Sequence, residues 1–74
     1  MRIYLEFIEI LPEGSTEEPD LIRVDVTDYS ADDLNTMVSY LMELAQYYDH
    51  CIIQKHYCYH EDGGSCYVDV VYQK

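Results

Sequence analysis

Seventy-four residues with fifteen Asp and Glu against four Lys and Arg give a formal net charge of −11. A chain of this length forms one domain, residues 1–74, and leaves little volume for a deep, water-excluding active site. The charge repels nucleic acid and anionic membrane and attracts basic surfaces, no apolar run approaches the roughly 18 residues of a membrane span, and a 49% hydrophobic content is too high for a disordered acidic tail.

Residues 1–11 (MRIYLEFIEIL) read as a strand that is apolar on both faces, with Ile3, Leu5 and Phe7 on one side and Tyr4, Glu6, Ile8 and Ile10 on the other. Residues 12–20 (PEGSTEEPD) carry both prolines and four acids and read as a loop. Residues 21–28 alternate, with Ile22, Val24 and Val26 pointing inward, which completes a first hairpin with a long acidic tip.

Ser30 is a good N-cap, with Asp33 at N3, and Tyr29 and Leu34 occupy the two positions of a hydrophobic staple. From there Leu34, Met37, Val38, Leu41, Leu44, Ala45 and Tyr48 recur at helical spacing, so a helix is predicted over 31–48. Two further strands, 51–60 and 65–73, flank the turn signal Asp62-Gly63-Gly64. An even-length turn places Ile53, Tyr57 and Tyr59 beside Cys66, Val68, Val70 and Tyr72 on the core face. His56, Cys58 and His60 then lie outside with Tyr67, Asp69 and Val71, and an odd-length loop reverses the assignment.

The element order is β-β-α-β-β, an α+β domain. With the first and last strands apolar on both faces, the expected four-stranded mixed sheet has the order 2-1-4-3, with parallel central strands and the helix on one face. In element order this resembles the β-grasp of immunoglobulin-binding protein G domains, a resemblance that implies shape and not function.

Candidate chemistry is sparse. His56, Cys58 and His60 alternate on one strand, but His56 and His60 lie about 13 Å apart along it, too far to share one ion. No metal ligand set, cofactor or catalytic residue is therefore assigned. A Cys58 nucleophile lacks the positive surroundings that favour a thiolate. Cys51 and Cys66 are expected as buried small hydrophobes, and Cys58 and Cys66 on opposite faces, so not as a disulfide. Three cysteines with no secretory signal ahead of them predict reduced thiols and a cytoplasmic protein.

Nine tyrosines are the other notable feature. Tyr48, Tyr57, Tyr59 and Tyr72 are expected in or around the core. Tyr40 and Tyr47 flank Glu43 on the outer side of the helix. Tyr4, Ile8, Tyr67 and Val71 are expected on the open sheet face. Tyrosine presents apolar area with a polar tip and is enriched at interfaces.

Small size, strong acidity, a compact fold and exposed tyrosines resemble the small acidic phage-encoded inhibitors, anti-CRISPR proteins and other DNA mimics among them. That resemblance implies a non-enzymatic inhibitor, acting in the cytoplasm of a host cell, that occupies the basic surface of a nucleic-acid-binding protein. Its contacts would be Glu13, Glu17, Glu18 and Asp20 in the first loop and Asp32, Asp33, Tyr40, Glu43 and Tyr47 on the helix, with Asp25 as a further candidate carboxylate. An alternative is a homodimer or adaptor module using Tyr4, Ile8, Tyr67 and Val71. A third is a small metal- or thiol-dependent protein.

Overall fold

Strand β1 (Arg2–Glu9) pairs antiparallel with β2 (Leu21–Asp25) on one side and with β3 (Cys51–Cys58) on the other. Strand β4 (Tyr67–Gln73) pairs antiparallel with β3. The structure, a computed structural model describing residues 1–74, is thus an α+β domain with one antiparallel sheet of order β2-β1-β3-β4. Helix α1 (Ala31–Leu44) connects β2 to β3, and a 3₁₀ turn at Ala45–Tyr47 extends it. No helix is long and apolar enough to cross a membrane.

The order corrects the expected 2-1-4-3 arrangement and its parallel, β-grasp-like centre: β3, not β4, lies beside β1. The reason lies in which strand can bury its helix-side residues. Cys51 and Ile53 of β3 are wholly buried with Leu5, Phe7, Val26, Leu41 and Ala45. On β4, in contrast, the positions opposite Tyr57 and Lys55 are Tyr67, 54% exposed, and Asp69, also exposed, as befits an edge strand. Apolar residues on both faces made β4 read as central, yet valine at a half-covered edge costs little.

Register accounts for a second correction. Tyr57 pairs with Tyr67 and His56 with Val68, so residues 58–66, an odd number, separate the last paired positions. Side chains directly opposite share a face. Tyr67 and Asp69 therefore share the helix side with Tyr57 and Lys55, while Val68 and Val70 join His56 and Gln54 on the open side. Tyr67 is accordingly not on the open face; its ring stacks between Tyr57 and Tyr59, at centroid distances of 4.8 and 5.8 Å. An irregularity between Ile53 and Gln54, where Val71 is the extra residue, returns Tyr72 to the helix side.

The helix forms as its sequence specifies. Ser30 Oγ accepts from the Asp33 backbone N–H at 3.1 Å, satisfying one of the free donors of the first turn, and Asp32 and Asp33 complement the positive end of the helix dipole. Leu34, Met37, Val38, Leu41, Leu44 and Ala45 pack on the sheet. Leu41 is completely buried, and Leu41→Ala should lower the unfolding free energy by about 2–5 kcal/mol in urea titrations, because the cavity cannot fully collapse.

No second layer covers the opposite face, and a polar network occupies its centre. Glu6 is 5% exposed. Its carboxylate accepts from Arg23 and from Gln54 Nε2, each at 2.8 Å, and lies 3.2 Å from His56 Nδ1. Arg23 in turn sits 4.5 Å over the Tyr4 ring, a cation–π contact that holds the guanidinium against the sheet. Burial opposes ionisation of Glu6, but the hydrogen bonds from Gln54, Arg23 and His56, with the Arg23 charge, outweigh it and lower the pKa below the usual 4.5. A lowered folded-state pKa contributes stability above the unfolded value and loses it as pH falls through the folded one. Glu6→Gln should therefore cost about 1.5 kcal/mol at neutral pH, and its stability gap to the wild type should close below pH 4.5, as chemical denaturation across pH would show.

Candidate functional site

The loop from 10 to 20 is tied to the C-terminal end of α1. The Glu9 backbone N–H donates to Asp20 O, the Asp20 N–H to Glu9 Oε1, and the Ile10 N–H to His50 O, at 2.9–3.0 Å. Within the loop, Ser15 N–H donates to Pro12 O, and Gly14 takes a left-handed φ of 86°. Tyr48 Oη donates to Asp20 Oδ2 at 2.7 Å; this bond, with desolvation and the charges of Asp20 and Glu9, pushes the phenol up to about 12. The loop, the helix end and the turn into β3 therefore form one continuous surface.

Two adjoining concavities open there. One, of about 350 Å³, is lined by Tyr40, Glu43, Leu44, Gln46 and Tyr47. The other, of about 610 Å³, lies between loop and helix end and is lined by Glu9, Ile10, Leu11, Pro12, Glu17, Tyr47, Tyr48, Asp49 and His50. Tyr47 belongs to both and is 85% exposed; Tyr40 is 59% exposed. Neither lining contains a lysine or an arginine.

The absence of cations follows from the sequence, since no Lys or Arg occurs between Arg23 and Lys55. Of the four bases, three have a partner for the charged group, and Lys55 has only a register neighbour. Arg2 pairs with Asp25 at 3.1 Å, Arg23 with Glu6, Lys55 faces Asp69 across the ladder, and Lys74 Nζ donates to Ala45 O at 3.0 Å. The residues lining the two concavities thus carry carboxylates without a lysine or arginine among them, while Lys74 meets the negative end of the α1 dipole at the Ala45 carbonyl.

The structure gathers Glu17, Tyr40, Glu43 and Tyr47 around this surface, with Glu13 and Glu18 exposed on the same loop. Asp20 belongs to it but is engaged by Tyr48. Asp32 and Asp33 do not join it: they lie at the other end of α1, about 16 Å away along the axis at 1.5 Å per residue. Sequence reasoning missed Glu9, Tyr48, Asp49 and His50. The Tyr-Tyr-Asp-His run at 47–50 was the available signal, read as a helix terminus and not as a wall of a groove.

A separate cluster forms at the β3–β4 connection. Cys58, His60 and Cys66 bring their ligand atoms within 4.8 Å of one another. Cys58 and Cys66 do not point to opposite faces, and Cys66 is half-buried, not a core residue. Their sulfurs are 3.2 Å apart, because the odd-length connection folds Cys66 back over the end of β3. His56 is absent from the cluster, held by Glu6 instead. The His60 backbone N–H and the Cys66 thiol both donate to Cys58 Sγ and lower its pKa, whereas donating to Cys58, with desolvation, pushes Cys66 up.

No protein-family model matches the chain, and no curated protein or solved structure is significantly similar to it.

Proposed function

We propose that this domain is a non-enzymatic acidic binding protein whose loop 10–20 and helix C-terminal end engage a basic protein surface. One observation carries the reading: two adjoining concavities share an exposed tyrosine, are walled by Glu9, Glu17, Glu43 and Asp49, and contain no cation. Such a surface suits arginine and lysine side chains. Carboxylates accept charge-assisted hydrogen bonds, and the Tyr40 and Tyr47 rings offer faces for cation–π contact. The same arrangement of acids on a rigid scaffold competes with backbone phosphates for those side chains, so the favoured partner is a nucleic-acid-binding protein, as for the DNA-mimic inhibitors that this chain resembles in size and acidity. Cytoplasmic action belongs to this reading.

The test is capture of a partner by the wild-type domain, followed by affinity measurements with that purified partner. Glu17→Lys/Glu43→Lys should weaken binding at least tenfold, about 1.4 kcal/mol, while Asp32→Lys/Asp33→Lys, remote from the concavities, should have a smaller effect. Binding should weaken steeply as the Debye length falls from about 10 Å at 0.1 M salt to about 3 Å at 1 M, and nucleic acid should compete. Unchanged affinity and salt dependence in both folded variants would reduce the acids to a solubility coat.

A second reading has its own observation. The β4 edge is unpaired and exposes Tyr67, Val68, Val70 and Val71, at 54%, 50%, 50% and 37%. Unpaired edges with apolar side chains recruit further strands, so a homodimer or adaptor contact would use β4 and the neighbouring open face around Tyr4 and Ile8. Sedimentation equilibrium decides: this reading requires a concentration-dependent dimer that Val70→Lys dissolves.

A further inference from the structure

We propose that Cys58, His60 and Cys66 form a binding site for one zinc ion, which fastens the β3–β4 connection to the end of β3. The site is independent of the acidic surface: it lies at the opposite end of β3 from Cys51, where that strand enters from the helix.

The geometry begins with the connection itself. Cys58 is the last residue of β3, His60 opens a 3₁₀ turn through Asp62, and Cys66 immediately precedes β4. Backbone bonds fold the segment tightly: the N–H groups of Asp62 and Gly64 both donate to Tyr59 O, and that of Gly63 donates to His60 O. Gly63 takes a left-handed φ of 76°, and a Cβ on Gly64 would fall 2.9 Å from Tyr59 Cβ. Both glycines are therefore required for the chain to return close enough to seat Cys66. Stacking of Tyr67 on Tyr57 and Tyr59 holds the hairpin end from the helix side.

The result is three soft or borderline donors converging on one point. Cys58 Sγ and Cys66 Sγ are 3.2 Å apart, and a single ring nitrogen, His60 Nδ1, lies 3.5 Å from Cys58 Sγ and 3.8 Å from Cys66 Sγ. Zinc–sulfur bonds of about 2.3 Å and zinc–nitrogen bonds of about 2.0–2.1 Å, arranged tetrahedrally, separate ligand atoms by roughly 3.6–3.8 Å. The two sulfurs need to part by about half an ångström to admit the ion, while their distances to His60 Nδ1 already match. Two thiolates and an imidazole are a donor set that selects zinc over magnesium or calcium, which prefer oxygen.

Charge favours the same occupant. Two thiolates neutralise the ion, and Glu61 in the intervening turn adds negative potential, while Asp62 is paired with the N-terminal ammonium at 3.1 Å. His60 is exposed and both cysteines are half-buried, so the fourth coordination position faces solvent. A domain of 74 residues has a small core, and a metal clip across an edge hairpin supplies folding energy that such a core lacks.

The test uses the full-length, reduced, chelator-stripped protein handled without oxygen and titrated separately with Zn²⁺, Co²⁺ and Cu⁺. Expected are one zinc per chain, bound more tightly than micromolar, and a cobalt spectrum with thiolate charge-transfer bands and the intense d–d absorption of a tetrahedral site. Affinity for zinc should fall on the order of a hundredfold in Cys58→Ser and Cys66→Ser and about tenfold in His60→Ala, and stay unchanged in His56→Ala, with folding of each variant checked by circular dichroism. In the wild type alone, zinc should protect two of the three thiols from alkylation in air, with Cys58 and Cys66 identified by mass. The proposal is overturned by non-saturable zinc binding, by a stoichiometry that survives Cys58→Ser/Cys66→Ser, by Cu⁺ being held where Zn²⁺ is not, or by Cys58 and Cys66 pairing as a disulfide in the presence of zinc.

Discussion

A single helix can cover only one face of a four-stranded sheet, and most features of this domain answer that constraint. On the covered side, Leu5, Phe7 and Ile53 meet Leu41 and Ala45 without exposure. Coverage reaches its limit at β4, whose helix-side positions carry Tyr67 and Asp69 instead of aliphatic residues. The uncovered side could not be built from aliphatic residues alone without presenting a large apolar surface to water. Its centre is therefore ionic, with Glu6 buried beneath Arg23, Tyr4, Gln54 and His56.

That solution has a consequence for charge. Arg23 and Arg2 are both spent on the open face, one on Glu6 and one on Asp25, and Lys74 is spent on a helix-end carbonyl. Lys55 stands on the helix side opposite Asp69 of β4, and no lysine or arginine lines the concavities where Glu17, Glu43 and Asp49 stand around Tyr47. The net charge of −11 is thus distributed unevenly in its effects: part is cancelled where it stabilises the sheet, and part is left uncompensated where the surface is concave. A concave acidic surface focuses its field more strongly than a convex one, which is why shape and charge together, and neither alone, support a basic partner.

The two ends of the domain differ in construction. At the helix C-terminus, the loop is fixed by hydrogen bonds of its backbone with Glu9 of β1 and with His50, and by the Tyr48–Asp20 contact. At the β3–β4 end, two glycines and a stack of three tyrosines fix the turn, and sulfur and imidazole groups converge there in place of carboxylates. Separate scaffolding means that occupation of one end by a metal and of the other by a partner need not disturb each other.

Local pattern determined the elements. Ser30 and the apolar spacing from Leu34 to Ala45 specify the helix, alternation specifies β2, and the acidic, proline-bearing segment 12–20 specifies a loop, because each depends on neighbours within a few residues. Candidate contacts such as Tyr40, Glu43 and Tyr47 were legible for the same reason: seven residues is two helical turns. Strand order and register were decided elsewhere. Whether β3 or β4 lies against β1 depends on how well Cys51 and Ile53 pack beneath Leu41, a contact between segments distant in sequence. One residue of parity in the 58–66 connection set which face carried Tyr67, and brought Cys66 onto Cys58 and His60. Side-chain alternation has a period of two, so a single-residue difference in a loop inverts everything after it, and only the folded chain fixes that parity.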